Sequence, residues 1–215
     1  MISKERIEDF IRSFDVDSGS DALKEIEKEA KRDHVPIIRK GTQELLRILL
    51  KMKKPERILE VGTAIGFSSV FMGECSSSET EITTIENYPP RIVRAKENIK
   101  MAGMEGKIHL LEGDAADILK ELDGYYDFIF MDAAKGQYIN WLPDVMRLMR
   151  KGSVLISDNV LQEGDIIESH YLVERRNRTI YKRMREYLYE LKHNPALITS
   201  IIPLGDGVTV SVKQE

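Results

Sequence analysis

The sequence predicts a doubly wound α/β fold: a seven-stranded, mostly parallel sheet covered by helices, with an antiparallel C-terminal hairpin and extra N-terminal helices. From Pro55 onward apolar runs alternate with helical segments, which is typical of a parallel sheet covered on both faces. Two late apolar runs have no helix between them, and the Leu204-Gly205-Asp206-Gly207 turn that joins them favours a hairpin. No linker or repeat divides the chain. We therefore expect one domain over residues 1–215, with residues 1–54 as helical cover and residues 55–215 as the core.

The first 54 residues are predicted to be helical. In the first helix, apolar residues recur at helical spacing at Ile7, Phe10, Ile11 and Phe14. Serine and glycine break this pattern before Asp21, which is expected to cap a second helix. Val35-Pro36 should end that helix, because the residue before proline is pushed out of the helical region. A third, strongly apolar helix covers Thr42–Leu50, and the segment between these helices either packs on the sheet or contacts a ligand.

The core elements follow from the apolar runs. Strands are predicted at Arg57–Val61, Ile82–Glu86, Lys107–Glu112, Tyr126–Met131, Val154–Asp158, Ile198–Pro203 and Val208–Lys213. Helices are expected to start near Phe67, Pro89, Ala115 and Gln137, and a long helix to run from about His170 to Lys192. The first five strands, each followed by a helix, form the doubly wound part of the sheet.

Composition excludes several classes of protein. With 215 residues and 24.7 kDa, the chain can bury a large core without disulfides, and its single cysteine, Cys75, has no internal partner. The charged start differs from a signal peptide, so we expect a cytoplasmic protein. No apolar run approaches the roughly 20 residues that a membrane helix needs. The net charge of −4 gives no overall attraction to nucleic acid, so such a partner would need a local basic patch.

Oxygen-bearing side chains follow two of the predicted strands. Asp132 opens the sequence DAAKGQY after one strand, and Asp158 and Asn159 end the next. If these strands are parallel neighbours, the three side chains converge at one edge of the sheet. An all-oxygen set suits Mg²⁺, Mn²⁺ or Ca²⁺ rather than zinc, and availability favours Mg²⁺. The alternative is that these aspartates cap the turns that follow the strands.

The first strand ends in a glycine turn with the spacing Glu-x-Gly-x-x-x-Gly, at Glu60, Gly62 and Gly66. A pyrophosphate-binding turn has Gly-x-Gly-x-x-Gly, so a nicotinamide cofactor is disfavoured; tight strand–helix packing is the alternative role of the turn. Glu86 ends the second strand, where a carboxylate accepts both ribose hydroxyls, and Asp114 after the third either meets an adenine amine or caps the next helix. Together these features describe S-adenosylmethionine better than a dinucleotide.

Several motifs together resemble a known enzyme family. They are ILEVGTAIGFSS, Glu86, Gly113-Asp114-Ala115, MDAAKGQY, SDN and PLGDG. In this combination the chain is similar, from about Val35 to Lys213, to the metal-dependent O-methyltransferases that include catechol and caffeoyl-CoA methyltransferases, which have a Rossmann-like fold. Within that family, HVPII at residues 34–38, GTAIGFS and DAAKGQY look closest to bacterial tRNA 5-hydroxyuridine methyltransferases, which act at the wobble position.

The resemblance also implies site residues. It places seven residues around S-adenosylmethionine: Ile38, Gly62, Ser68, Glu86, Asp114, Ala115 and Asp132. It assigns the metal to Asp132, Asp158 and Asn159. A divalent cation lowers the pKa of a bound hydroxyl, and a second substrate oxygen fixes the angle of attack; catechol and 5-hydroxyuridine both present two such oxygens. Lys135 is expected to accept the proton or stabilise the anion, the alternative being an exposed surface lysine.

A basic patch is predicted on the last long helix. Its residues are spaced three, four and three apart, at Arg175, Arg178, Lys182 and Arg185. An apolar stripe with helical spacing faces the core, at Tyr181, Met184, Leu188 and Leu191. Like charges on one face repel, which favours an anionic partner such as a tRNA anticodon arm. A solvated helix face is the alternative.

The function that we predict from the sequence is methylation of tRNA 5-hydroxyuridine to 5-methoxyuridine. A small-molecule catechol or hydroxycinnamoyl-type methyltransferase would share every cofactor and metal residue. A non-catalytic RNA-binding module would keep the basic patch but bind S-adenosylmethionine or metal poorly. The apolar N-terminal helix exceeds what the sheet needs for cover, and with the family resemblance this predicts a homodimer with a two-fold symmetric interface.

Overall fold

The structure is a computed structural model that describes residues 4–14, 16, 19–169 and 173–214. Its α-helices are α1 Lys4–Arg12, α2 Asp21–Arg32, α3 Lys40–Lys53, α4 Phe67–Cys75, α5 Pro89–Met101, α6 Ala115–Glu121, α7 Tyr138–Leu148 and α8 Arg178–His193. Its strands are β1 Arg57–Val61, β2 Glu81–Glu86, β3 Ile108–Glu112, β4 Tyr126–Met131, β5 Met149–Ser157, β6 Leu197–Ile202 and β7 Val208–Lys213. Short 3₁₀ helices cover Lys135–Gln137, Gln162–Ile167 and Arg175–Asn177.

The strands form one sheet in the order β3-β2-β1-β4-β5-β7-β6. The first five of these are parallel, and β7 runs antiparallel to both β5 and β6. The order changes direction between β1 and β4, and at such a switch point the carboxyl ends of the strands leave a crevice. The predicted doubly wound fold class, with its C-terminal hairpin, is confirmed.

The strand register brings the carboxyl ends of β1, β4 and β5 to the same level. Met131 pairs with Val61 on one side and with Ser157 on the other. Asp132 and Asp158 directly follow Met131 and Ser157, so they lie side by side at the ends of β4 and β5. The convergence that the sequence suggested for these two aspartates is therefore a consequence of the β4–β5 register.

Each face of the sheet carries its own apolar core. Helices α6, α7 and α8 cover one face and α2 to α5 cover the other. All six residues of β4 are buried, as expected for a central strand that is covered on both sides. The predicted stripe of α8 is buried against the first core at Tyr181, Met184, Leu188 and Leu191. Within the described residues, no helix is long and apolar enough to cross a membrane.

The boundaries of the second helix differ from the prediction. Its cap is Ser20, whose hydroxyl accepts a hydrogen bond from the backbone N–H of Leu23 at 3.1 Å, and Asp21 is the first helical residue. The helix ends at Arg32, short of Val35-Pro36, because a left-handed residue at position 34 (φ 54°) closes it first. A local backbone closure of this kind leaves no strong signal in the side-chain pattern.

The last helix is shorter than predicted, and this corrects the proposed basic face. The backbone at Glu174 is not helical (φ −53°, ψ 138°), a 3₁₀ turn follows, and α8 begins only at Arg178. Arg175 therefore precedes the helix, and its assignment to the helical face is wrong. The predicted start near His170 lies outside the described residues.

Candidate active site

One cavity of about 810 Å³ opens at the carboxyl ends of the parallel strands. It is lined by every residue that was predicted to touch the cofactor, the metal or the transferred proton: Ile38, Gly62, Ser68, Glu86, Asp114, Ala115, Asp132, Lys135, Asp158 and Asn159. Its volume suits a small-molecule ligand, for which about 300–1,000 Å³ is usual. The four predicted basic residues lie outside its lining.

Gly62 allows two strand ends to approach each other closely. Its φ is +106°, and a Cβ added there would lie 2.2 Å from the carbonyl oxygen of Asp132. A larger residue would therefore both strain the backbone and displace Asp132. The glycine turn therefore has a packing role, which is one of its two predicted roles. It packs against the end of β4, which carries the candidate metal ligand Asp132.

Glu86 presents a carboxylate that the backbone holds in place. One oxygen accepts the N–H of Ala64 at 2.8 Å, and the other accepts the N–H groups of Asn87 and Tyr88 at 3.0 Å each. The residue is largely buried, yet it lines the cavity. A carboxylate fixed in this way keeps further lone pairs for hydroxyl donors of a ligand.

Asp114 is the N-cap of α6. Its side chain accepts the backbone N–H of Ala116 at 2.8 Å. This geometry agrees with the capping interpretation of Asp114, and the residue also lines the cavity. A contact of its second oxygen with an adenine amine stays a prediction.

Asp158 is buried and Asp132 is half-buried at the neighbouring strand end, and this environment raises the pKa of both carboxyls to about 6. Burial is the larger cause for each; the charge of Glu60 adds to the pKa of Asp132, and the charge of Asp132 adds to that of Asp158. Lys135 lowers both pKa values without offsetting these effects. The pair therefore lacks sufficient positive charge nearby, as expected of residues that bind a cation.

The donor chemistry fits a hard divalent cation. Asn159 has a left-handed backbone (φ 56°) and donates its N–H to the Asp158 carboxylate at 2.8 Å. Within the described residues, no three His, Cys, Asp or Glu side chains are arranged to hold a metal. The candidate set is accordingly two carboxylates and one amide, all oxygen ligands, which fits Mg²⁺ and its analogues rather than zinc.

Lys135 lies in the cavity beside an aspartate that the sequence analysis did not assign to the site. Its Nζ is 3.7 Å from the carboxylate of Asp206, which is largely buried in the turn between β6 and β7. The backbone oxygen of Asp206 accepts the N–H of Leu161 at 2.9 Å, so this turn is tied to the segment that follows the β5 ligands. The motif PLGDG is the available signal: the sequence predicts a hairpin turn there and the motif contributes to the family resemblance, but neither assigns Asp206 to the site.

Glu60 is a second acidic residue whose role the sequence did not reveal. It is completely buried beneath the site, and burial raises its pKa. One of its oxygens accepts hydrogen bonds from Ser69 and from Thr84 (2.6 Å). Its charge is one reason for the raised pKa of Asp132.

The predicted basic residues of α8 do not line the cavity, and each has a local partner. Arg178 donates to the carbonyl of Val173 at 3.2 Å, and Lys182 lies 3.8 Å from the carboxylate of Glu186. Arg185 donates to the carbonyl of Ile166 at 2.9 Å. These side chains are therefore partly engaged in local contacts and do not form a row of unpaired charges.

One basic residue that the prediction omitted connects α8 to the active-site loop. Arg183 donates to the carbonyl of Gly136 at 3.1 Å, in the same loop as Lys135. With Arg178 and Lys182 it lines an open depression of about 490 Å³. This basic surface, which we call the α8 depression, is therefore joined to the cavity rim at Gly136.

We expect the metal-free protein to lose stability as the pH rises from 5 to 7. The folded pKa of Asp132 and Asp158 is about 6 against an ordinary value of 3.8, so folding stabilises the protonated carboxyls. That stabilisation is complete below pH 3.8 and is lost as the pH rises through 6. A difference of about 2 pKa units corresponds to roughly 3 kcal/mol per group as an upper figure.

Denaturant unfolding with a chelator, at pH 5 and pH 7, measures this effect. The free energy of unfolding of the wild type should fall by about 1.3 kcal/mol more than that of Asp158→Asn, because one carboxyl with a folded pKa of about 6 loses about one pKa unit of stabilisation between these two pH values. Equal pH dependence in the two proteins would show that these carboxyls are not desolvated as described.

The chain is similar in sequence to known O-methyltransferases over most of its length. A family described as O-methyltransferase matches residues 13–214. A catechol O-methyltransferase of Niastella koreensis is 31% identical over 129 residues, 58% of each chain, and one of Mycobacterium tuberculosis is 32% identical over 112 residues, 52% of this chain and 51% of its own. The alignments thus span between half and two thirds of these relatives. A caffeoyl-CoA O-methyltransferase of Medicago sativa is 27% identical over 202 residues, 88% of this chain and 81% of its own.

Solved structures share the fold. The O-methyltransferase TomG of Streptomyces achromogenes, in complex with SAM, has a TM-score of 0.86 at 23% identity, with all of both chains covered. The SAH-bound methyltransferase PaMTH1 of Podospora anserina has a TM-score of 0.85 at 25% identity, covering 98% of this chain and 95% of its own. The likeness extends over the whole sheet and its helices.

Proposed function

Because this chain belongs to the O-methyltransferase family, we propose that it transfers the methyl group of S-adenosylmethionine to a hydroxyl oxygen with the help of a bound divalent cation. The observation that carries this proposal is the pair of strand-end carboxylates, the half-buried Asp132 and the buried Asp158, which lines the same cavity as Lys135 and Glu86. Together these residues supply a carboxylate that can accept hydrogen bonds from the cofactor, a site for the cation, and a lysine that takes the proton or stabilises the negative charge.

The cofactor half of the cavity is built from strand ends. Glu86 accepts the ribose hydroxyls with the lone pairs that its three backbone donors leave available. Asp114 and Ala115 border the adenine, and Gly62 lets the chain pass close to the methionine end. Ile38 supplies an apolar wall, and Ser68 a hydroxyl.

The reacting half is built on β4 and β5. Asp132, Asp158 and Asn159 hold the cation, with Mg²⁺ as first choice and Mn²⁺ or Ca²⁺ as alternatives. When bound, the cation lowers the pKa of the acceptor hydroxyl and stabilises its anion. Lys135, held near the site by Asp206, takes the proton or stabilises the negative charge.

The acceptor that we propose has two adjacent oxygens, since a second oxygen fixes the direction of attack. A small catechol or hydroxycinnamoyl-type molecule is the first candidate, because the curated relatives are named as catechol and caffeoyl-CoA O-methyltransferases. The test is transfer of a labelled methyl group from S-adenosylmethionine to a catechol, with Mg²⁺ and with excess chelator. Turnover that the chelator leaves unchanged would contradict the metal-assisted mechanism.

The second candidate substrate is 5-hydroxyuridine at the wobble position of tRNA. The α8 depression favours it, because this basic surface of Arg178, Lys182 and Arg183 is joined to the cavity rim and suits a phosphate backbone. The nucleoside carries the same pair of adjacent oxygens as a catechol. Mass spectrometry of nucleosides from a deletion strain tests it: 5-hydroxyuridine should accumulate and 5-methoxyuridine should be absent. Calorimetry with S-adenosylmethionine separates both candidates from a non-catalytic RNA-binding module, which would bind it poorly.

We propose that the protein forms a homodimer through α1 and the turn that follows it. The side chains of Phe10 and Phe14 are 65% and 68% exposed, and their rings pack edge to face at 5.1 Å. Light scattering should give twice 24.7 kDa for the wild type, and Phe10→Ser with Phe14→Ser should give the monomer. The control is Ile198→Ser, which removes an equally exposed apolar side chain from β6. A wild type that stays at 24.7 kDa would contradict the dimer.

A further inference from the structure

The hydroxyl of Tyr138 bridges the two peptide groups that flank Asp132. Tyr138 is the first residue of α7 and is completely buried. Its hydroxyl donates to the carbonyl oxygen of Met131 at 3.1 Å and accepts the backbone N–H of Ala133 at 3.0 Å. One side-chain group therefore fixes the chain on both sides of a candidate metal ligand.

The same hydroxyl is linked to the second carboxylate. The carbonyl of Met131 also accepts the backbone N–H of Asp158, at 3.0 Å. Aromatic neighbours hold the ring of Tyr138 in place: Tyr187 packs against it edge to face at 5.5 Å, and the centre of Trp141 lies 6.2 Å away. The packed ring therefore places its hydroxyl against the carbonyl of Met131, which also accepts the hydrogen bond from Asp158.

We propose that Tyr138 is a positioning residue, whose hydroxyl holds the backbones of Asp132 and Asp158 at the separation that their carboxylates need to bind one cation. This inference rests on the proposed metal-assisted function. The position requires a group that donates to one peptide and accepts from another, which a hydroxyl does and a hydrocarbon does not. Burial and the nearby carboxylates raise the pKa of Tyr138 well above its ordinary value, so it keeps the proton that it donates.

The test is Tyr138→Phe, which removes the hydroxyl and keeps the ring. Groups that orient metal ligands typically contribute about 10- to 100-fold in metal affinity, so we expect Mn²⁺, measured by electron paramagnetic resonance, to bind more weakly by that factor. The kcat should fall with it. The affinity for S-adenosylhomocysteine, measured by calorimetry without metal, should change by less than about threefold, because Glu86 and its backbone donors are untouched.

Tyr126→Phe is the matched control. Tyr126 begins the same strand β4 at the end remote from the site, is also completely buried, and has its hydroxyl 3.2 Å from Thr83. This variant should bind Mn²⁺ as the wild type does. An equal loss of Mn²⁺ affinity in both variants would indicate general loosening and overturn the proposal, as would an unchanged affinity in Tyr138→Phe.

Failure of this inference is distinguishable from failure of the proposed function. A wild type that binds no Mn²⁺ overturns both, whereas equal binding by wild type and Tyr138→Phe overturns only the role of Tyr138. If Tyr138→Phe does not fold, hydrogen exchange in the wild type decides. The amide of Ala133 should exchange as slowly as the amides of β4, and rapid exchange would show that the hydroxyl does not hold it.

Discussion

Replacing Asp158 with alanine should reduce methyl transfer by more than about 100-fold, because loss of a ligand costs more than loss of a group that only orients one. The carboxylate follows β5 and lines the same cavity as Lys135; burial raises its pKa most, and Coulomb repulsion from Asp132 raises it further. Its removal relieves that repulsion, so the fold should persist. The affinity for S-adenosylhomocysteine should also persist, since Glu86 and the glycine turn are unchanged.

Three measurements separate a metal ligand from a structural residue: kcat with a catechol, Mn²⁺ affinity and the free energy of unfolding. Asp117→Ala on α6 is the control, because it removes an exposed carboxylate whose side chain is 79% accessible. It should leave all three quantities close to the wild-type values. Full activity in Asp158→Ala, or in the wild type with excess chelator, would rule out the metal-assisted mechanism.

If tRNA is the acceptor, as our second candidate function proposes, neutralising Arg178 and Lys182 should weaken tRNA binding steeply and leave the chemistry unchanged. Removal of one phosphate-binding side chain should lower the log-log salt slope of binding by about one unit, so glutamine at both positions should lower it by about two. The apparent KM for tRNA should rise accordingly. Turnover of a free catechol or of 5-hydroxyuridine nucleoside should be nearly constant, because neither side chain lines the catalytic cavity.

The control is the pair Lys28→Gln and Lys31→Gln on α2, which lies on the opposite face of the sheet. It removes the same charge at a surface remote from the α8 depression. Arg183 is kept in all variants, since its bond to Gly136 supports the loop of Lys135. If the wild type does not methylate tRNA, or if tRNA turnover is independent of salt and of both substitutions, the small-molecule acceptor is the substrate.

The sequence by itself determined the order of the elements and most of the bounds of the sheet. The bounds of β1, β4 and β7 agree with the prediction residue for residue, and α4, α5 and α6 start where predicted. These features depend on local properties: apolar runs of strand length, proline at the start of α5, and glycine where the chain turns. Apolar runs also showed that Asp132, Asp158 and Asn159 follow strand ends, which predicted that they lie at one edge of the sheet.

Only the tertiary structure decided which distant groups meet at that edge. The ion pair of Lys135 with Asp206 and the hydrogen bonds of Glu60 with Ser69 and Thr84 join segments that are separate in sequence. The bridge made by Tyr138 depends on how the start of α7 packs back on the end of β4. Arg175 lies outside α8 because the backbone at position 174 is not helical and a 3₁₀ turn separates it from the helix. Such contacts arise from strand register, loop closure and packing across the sheet, and residue spacing along a single segment carries no information about them.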